Sequence, residues 1–108
     1  MTSRKVTPAI GTALEDLGIA DAAELSTKVQ LAVQINQIIA GRHLKQNQVK
    51  DLLGVSQGNV SALINYKLDG FSVERLLRFL NALDRDVEIR VKKKPRTRDV
   101  AQTTVVHA

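Results

Sequence analysis

Apolar positions run along this chain first at helical spacing and then, near the end, in strict alternation. From about residue 21 to residue 40, Leu25, Val29, Ala32, Val33, Ile35, Ile38 and Ile39 make a broad stripe that predicts one long helix, closed by Gly41. The stripe covers more than half the turn, so one side is expected to face another subunit or the segment before it. That segment, LEDLGIADAAEL at residues 14–25, predicts a short turn of helix ending near Gly18, with Asp21 as the N-cap of the long helix. Leu14, Leu17 and Ile19 are then placed to strap the segment onto the domain. Residues 1–13 are rich in Thr, Ser, Gly and Pro without apolar periodicity, and a mobile N-terminal segment is expected.

Residues 45–65, KQNQVKDLLGVSQGNVSALIN, hold two short helix signals separated by one glycine. Val49, Leu52 and Leu53 put an apolar face on the first, while Gln46, Lys50 and Asp51 face water. Gly54 follows, where a left-handed backbone closes a helix without a Cβ clash. Ser56 is the next N-cap, its hydroxyl placed to accept from the amide of Gly58 or Asn59. Val55 and Val60 stand at the two positions of a hydrophobic staple, which sets the angle at which the second helix leaves the turn. The implied geometry is helix, tight turn, helix, with the second helix suited to a DNA major groove.

After a loop at YKLDG, residues 66–70, Ser72 is a second N-cap, with Phe71 and Leu76 as its staple and Glu74 near the positive end of the helix dipole. Val73, Leu76, Leu77, Leu80 and Leu83 give a buried face, and Arg75, Arg78 and Asn81 lie off it as a solvated side. At DVEIRV, residues 86–91, the period changes: Val87, Ile89 and Val91 alternate with Asp86, Glu88 and Arg90, the pattern of a half-buried strand. A lone strand leaves its backbone groups unpaired, so Val87, Ile89 and Val91 are expected in a dimerisation strand that pairs with its copy or with another protein. The alternative is a flexible extension with chance alternation. The fold expected is all-α, a bundle of about five helices with one C-terminal β-strand pairing between subunits. Its domain spans residues 14–91 and is followed by a basic flexible tail at 92–108.

Composition adds little until it is localised. The chain has 108 residues, 44% of them hydrophobic, three aromatics and no cysteine, which suits one modest aliphatic core and excludes disulfides and thiolate metal sites. No apolar run reaches a membrane span and the N-terminus lacks a signal-like core, so a soluble cytoplasmic protein is expected. Of the net +5, residues 1–91 contribute eleven basic against ten acidic side chains, and residues 92–108 five against one. Around the turn, residues 42–67 carry Arg42, Lys45, Lys50 and Lys67 against Asp51 alone. KKKPRTR, residues 92–98, can track phosphates, keep the chain soluble or meet an acidic partner, and the AQTTVVHA that ends the chain offers no clear packing partner.

With Gln46 opening the first helix, Gly54 eight residues on, and Val49, Leu53, Val55, Val60 and Leu63 at the buried positions, the chain resembles the lambda-repressor-like (XRE) helix-turn-helix family. The stretch LLGVSQGNVSALIN looks like the signature of the HigA-type antitoxins within it. Lys50 stands where the family usually has a small residue, so its stem must run outward along the surface or the helices must separate. Across residues 14–92 the resemblance implies a DNA-binding repressor that also neutralises a RelE-like ribonuclease toxin encoded beside it. The competing expectations are a protein-interaction module with little DNA binding of its own, and a stand-alone regulator without a toxin.

The candidate base-reading residues are Gln57, Asn59, Ser61 and Ala62, with Asn65 at the far end, since Gln and Asn pair both edges of adenine and an alanine methyl meets that of thymine. Asn59 has local bonding to Ser56 or the backbone as its alternative, and Ser61 plain helix surface. Lys45, Gln46, Ser56, Tyr66 and Lys67 are the phosphate candidates. The resemblance implies base reading at Gln57 and a phosphate bond at Gln46; Tyr66 is alternatively a cap on the core. The partners expected are double-stranded DNA with a palindromic operator and a second copy of the chain. Catalysis lacks support: His43 and His107 have no metal-like spacing, no nucleophile has a plausible base, and neither cofactor nor metal is expected.

Overall fold

The computed structural model describes residues 13–107, with side chains from residue 22 onward. Four helices follow one another: α1 (Ala13–Gly41), α2 (Gln46–Leu53), α3 (Gln57–Ile64) and α4 (Val73–Ala82). The architecture is all-helical, and the described residues contain four helices rather than about five. The difference lies at Gly18, where the expected break does not occur and α1 runs on for 29 residues, about 43 Å at 1.5 Å per residue. One interior glycine costs only about 1 kcal/mol relative to alanine, too little to stop a helix whose hydrogen-bond ladder continues on both sides. The expected mobile stretch before Ala13 and the strap of Leu14, Leu17 and Ile19 lie outside the described residues and side chains. No described helix is long and apolar enough to cross a membrane.

The core sits where the C-terminal half of α1 meets the other three helices. Ala32 and Ile35 from α1, Val49 from α2, Val60 and Leu63 from α3, and Leu76 and Leu83 from the α4 region are fully enclosed. Phe71 and Phe79 meet edge to face at 5.9 Å and close one end. The apolar stripe of α1 is only partly used. Among the described side chains Leu31 is the first to be buried, whereas Leu25 and Val29 remain exposed. On α2, Leu53 packs on the core one turn after Val49, but Leu52 is 41% exposed, contrary to the apolar face read from the sequence. The face is narrower than its apolar residues: Leu53 lies four positions from Val49 and shares its line, and Leu52 falls on the edge.

All four helices stop in the same way. His43, Gly54, Tyr66 and Asp84 take the left-handed conformation, with φ of 54°, 67°, 60° and 63°. The residue after each donates its amide back across the last turn: Leu44 to Ile39, Val55 to Lys50, Lys67 to Ala62 and Arg85 to Leu80, at 2.8–3.2 Å. These are Schellman closures, which satisfy carbonyls that the helix leaves unpaired. Only Gly54 adopts this backbone without steric cost, and Tyr66, bulky and not a usual left-handed residue, bears it at about 1–2 kcal/mol.

Beyond Asp84 the chain leaves the helices. Residues 86–91 have no regular secondary structure and form no strand among the described residues, and Val87, Ile89 and Val91 are 37%, 76% and 93% exposed. A turn closed by the Arg98 amide on the Pro95 carbonyl (3.3 Å) reverses the chain. The segment then returns to α1, where the Val105 amide donates to Gln30 Oε1 at 2.8 Å and His107 Nδ1 lies 2.8 Å from Gln34 Oε1. Val105 is half-buried against the core. The last residues therefore have a packing partner that no periodicity announced: two glutamines one turn apart on a helix.

Candidate nucleic-acid interface

The turn is built by its capping residues. Lys45 starts α2 in extended backbone, and its amide donates to Gln48 Oε1 at 2.8 Å. Gly54 ends the helix, its amide bonded to the Lys50 carbonyl at 2.9 Å. Two residues later Ser56 takes φ −76°, ψ 161°, and its hydroxyl oxygen accepts from the Asn59 amide at 3.1 Å, one of the two partners expected for it. Val60 is fully buried and Val55 half-buried against the same core. The staple thus clamps the start of α3 to the body, and the glycine lets the chain reverse between the helices. Lys50 is half-buried, in keeping with a stem laid along the surface.

Clamping one side of α3 turns the other outward. Gln57 is exposed at its first turn and donates from Nε2 to Oε1 of Gln46, the first residue of α2. The pair ties the starts of the two helices together, and it leaves the Gln46 amide nitrogen as a donor and Gln57 Oε1 as an acceptor at the surface. Ser61 and Asn65 follow along the exposed side, one turn apart. Asn65 Nδ2 donates to the Ser61 carbonyl at 2.9 Å and to its hydroxyl at 3.4 Å, which orders both side chains. Asn59 and Ala62 are set back. Asn59 is half-buried with its amide taken by Ser56, and Ala62 packs partly against the core. Of the five candidate base readers, Gln57, Ser61 and Asn65 therefore stand forward.

The phosphate candidates divide likewise. Lys45, Gln46 and Lys67 are exposed at the helix ends, whereas the Ser56 hydroxyl oxygen is already engaged as a cap. Tyr66 is 44% exposed in its left-handed position, so the ring neither lies in the core nor stands wholly in solvent. A tyrosine held at this backbone where glycine would sit freely is the kind of local strain that accumulates at binding surfaces.

Sequence reasoning missed three supporting side chains. Asn36 of α1 donates from Nδ2 to the Leu63 carbonyl at 3.3 Å, holding the last turn of α3 against the body. Its signal was a polar residue interrupting the α1 stripe between Ile35 and Ile38. Arg42 reaches the Leu83 carbonyl at 3.4 Å and helps close α4. Arg75, read as solvated, is half-buried: its guanidinium lies 5.0 Å from the Phe71 ring centre and 5.5 Å from that of Phe79, and it donates to the Gly70 carbonyl at 3.3 Å. Arg78 and Asn81 do lie at the surface, Arg78 paired with Glu74 at 3.6 Å.

A family profile described as a helix-turn-helix domain matches residues 13–92, from the start of α1 to just past the exposed segment that follows α4. A solved structure described as an XRE family transcriptional regulator is 53% identical, with 82% of this chain and 99% of that chain covered and a TM-score of 0.79. No curated protein matches. The reversal at Gly54, the Ser56 cap, the paired glutamines and these two likenesses agree, and the chain belongs to the XRE-type helix-turn-helix family.

Proposed function

We propose that the chain is a sequence-specific DNA-binding repressor that acts as a homodimer in the cytoplasm. The observation that carries this reading is the outward side of α3, where Gln57, Ser61 and Asn65 are exposed while Val60 and Leu63 hold the opposite side in the core. In the major groove Gln57 reads a base edge, supported by Ser61 and Asn65, with Asn59 and Ala62 contributing where the groove wall comes closest. Lys45, Gln46, Tyr66 and Lys67 bond phosphates and fix the register, and Ser56 adds its hydroxyl hydrogen. Val87, Ile89 and Val91 support the dimer, since an exposed segment with alternating apolar residues and no strand partner in its own described chain offers an edge to a second copy. Two-fold pairing sets two copies of α3 about 34 Å apart and calls for a palindromic operator.

The test is a gel shift on the DNA upstream of the chain's own gene. Wild type binds it in preference to a scrambled duplex, and Gln57→Ala loses about 1–3 kcal/mol of that preference. Equal binding to both duplexes at low salt would remove the reading. The resemblance to HigA-type antitoxins supports a second role, neutralising a RelE-like toxin encoded alongside. It is checked by co-expression with the adjacent reading frame: growth arrest by the neighbour alone, relieved by this chain, supports the role, and a neighbour without effect on growth removes it.

A further inference from the structure

Residues 92–98 carry five cations in seven positions, Lys92, Lys93, Lys94, Arg96 and Arg98, with no acidic residue among them. Among the described residues none of the five forms an ion pair; the three pairs present all lie elsewhere. The matched family region ends at Lys92, so the run lies almost wholly outside it. The structure also gives the run a form that the sequence did not. It is the tip of a loop held at both ends, by Arg85 on the Leu80 carbonyl and by Val105 on Gln30 and the core. The tip itself is bent by the Pro95–Arg98 turn and by Lys94 Nζ, which donates to the Arg98 carbonyl.

We propose that this loop is a second DNA-contacting site, a basic tip that grips the phosphate backbone of the DNA. The proposal rests on the DNA-binding reading above. Charge density favours nucleic acid over an acidic protein surface. Five cations in seven positions with no acid among them suit the closely spaced phosphates of a duplex, one charge per about 1.7 Å of helix axis. Three of the five are lysines, which protein interfaces avoid at their centre, and the run holds no aromatic or aliphatic anchor of the kind such interfaces are built on. Attachment to a domain already on DNA raises the local phosphate concentration for the tip. Because both ends are held, less chain freedom is lost on contact than with a free tail.

The experiment uses the full chain and a variant with Lys92, Lys93, Lys94, Arg96 and Arg98 all changed to Gln, none of them a core residue. Both are titrated with the upstream duplex and with a scrambled duplex across about 50–200 mM salt. The expected result is a plot of log K against log salt shallower by about 3–4 units in the variant, with affinity for both duplexes down at least tenfold at the lower salt. The ratio between the two duplexes stays unchanged, because phosphate contacts carry no sequence. An unchanged slope with sequence preference intact overturns the proposal and leaves the repressor reading standing. A wild type that binds neither duplex overturns both. A variant that keeps its DNA slope but loses an acidic protein partner assigns the tip to that partner and overturns the proposal.

Discussion

In α4, Leu76, Phe79, Leu80 and Leu83 recur at helical spacing, and every one is buried. In residues 86–91, Val87, Ile89 and Val91 recur at every second position just as regularly, and Val91 is 93% exposed. The two stretches are neighbours, separated by Asp84 and Arg85. The difference teaches that periodicity reports which side of an element is apolar, while burial needs a second surface to meet it. For α4 that surface is α1. For residues 86–91 the described chain supplies none, and the proposed second copy would supply it.

The largest way to sharpen the contrast is to empty each side in turn. Leu76→Ala removes a fully buried side chain and is expected to cost about 2–5 kcal/mol, measured by urea denaturation. Ile89→Ala, at 76% exposure, is expected to leave the stability of the isolated subunit within about 0.5 kcal/mol. A large loss from the second change would show that the segment is covered within one chain and break the comparison. Next in size, Ile89→Lys is expected to weaken dimerisation at least tenfold, about 1.4 kcal/mol, read as mass against concentration by light scattering. A dimer that persists unchanged would place the subunit contact elsewhere.

Two smaller changes probe how the helices are stopped before the chain reaches that segment. Ser56→Ala removes the acceptor for the Asn59 amide and should cost about 1 kcal/mol. Ser72→Ala, which removes the same bond to the Arg75 amide, is expected to cost as much while leaving DNA binding alone. Equal losses of DNA affinity in both variants would mean that the cap at the turn has no special role in aiming α3. The smallest effect has the opposite sign. Tyr66→Gly relieves the left-handed strain at φ 60° but frees the unfolded chain and gives up the covered part of the ring, so a net gain of under about 1 kcal/mol is expected. Reduced DNA affinity in this more stable variant would assign the tyrosine to the duplex.

The turn was the most legible part of the molecule because its determinants are local. Gly54 and Ser56 act through backbone bonds within four residues, and Val55 and Val60, five positions apart, pack on the same core. The expected break at Gly18 failed for a related reason: a glycine ends a helix only where the bonds beyond it are not continued. Arg75 was misread because the two rings that enclose it, Phe71 and Phe79, lie on its own helix and on the loop before it, and spacing alone does not say that they converge. Of the other three left-handed stops, Tyr66 had no signal at all, and His43 and Asp84 carried only the weak one that His and Asp enter this region more readily than most residues.

By itself the sequence determined the positions of α2, α3 and α4, the N-caps Ser56 and Ser72, the stop at Gly54 and most of the side of each helix that turns inward, all interactions of short range in the chain. The tertiary structure alone decided which part of the α1 stripe is covered, that Asn36 holds the end of α3, and that Val105 returns to Gln30 across 75 positions to make a loop of the basic run. Those outcomes depend on where separate elements meet, and residue spacing carries no term for the distance between one element and another.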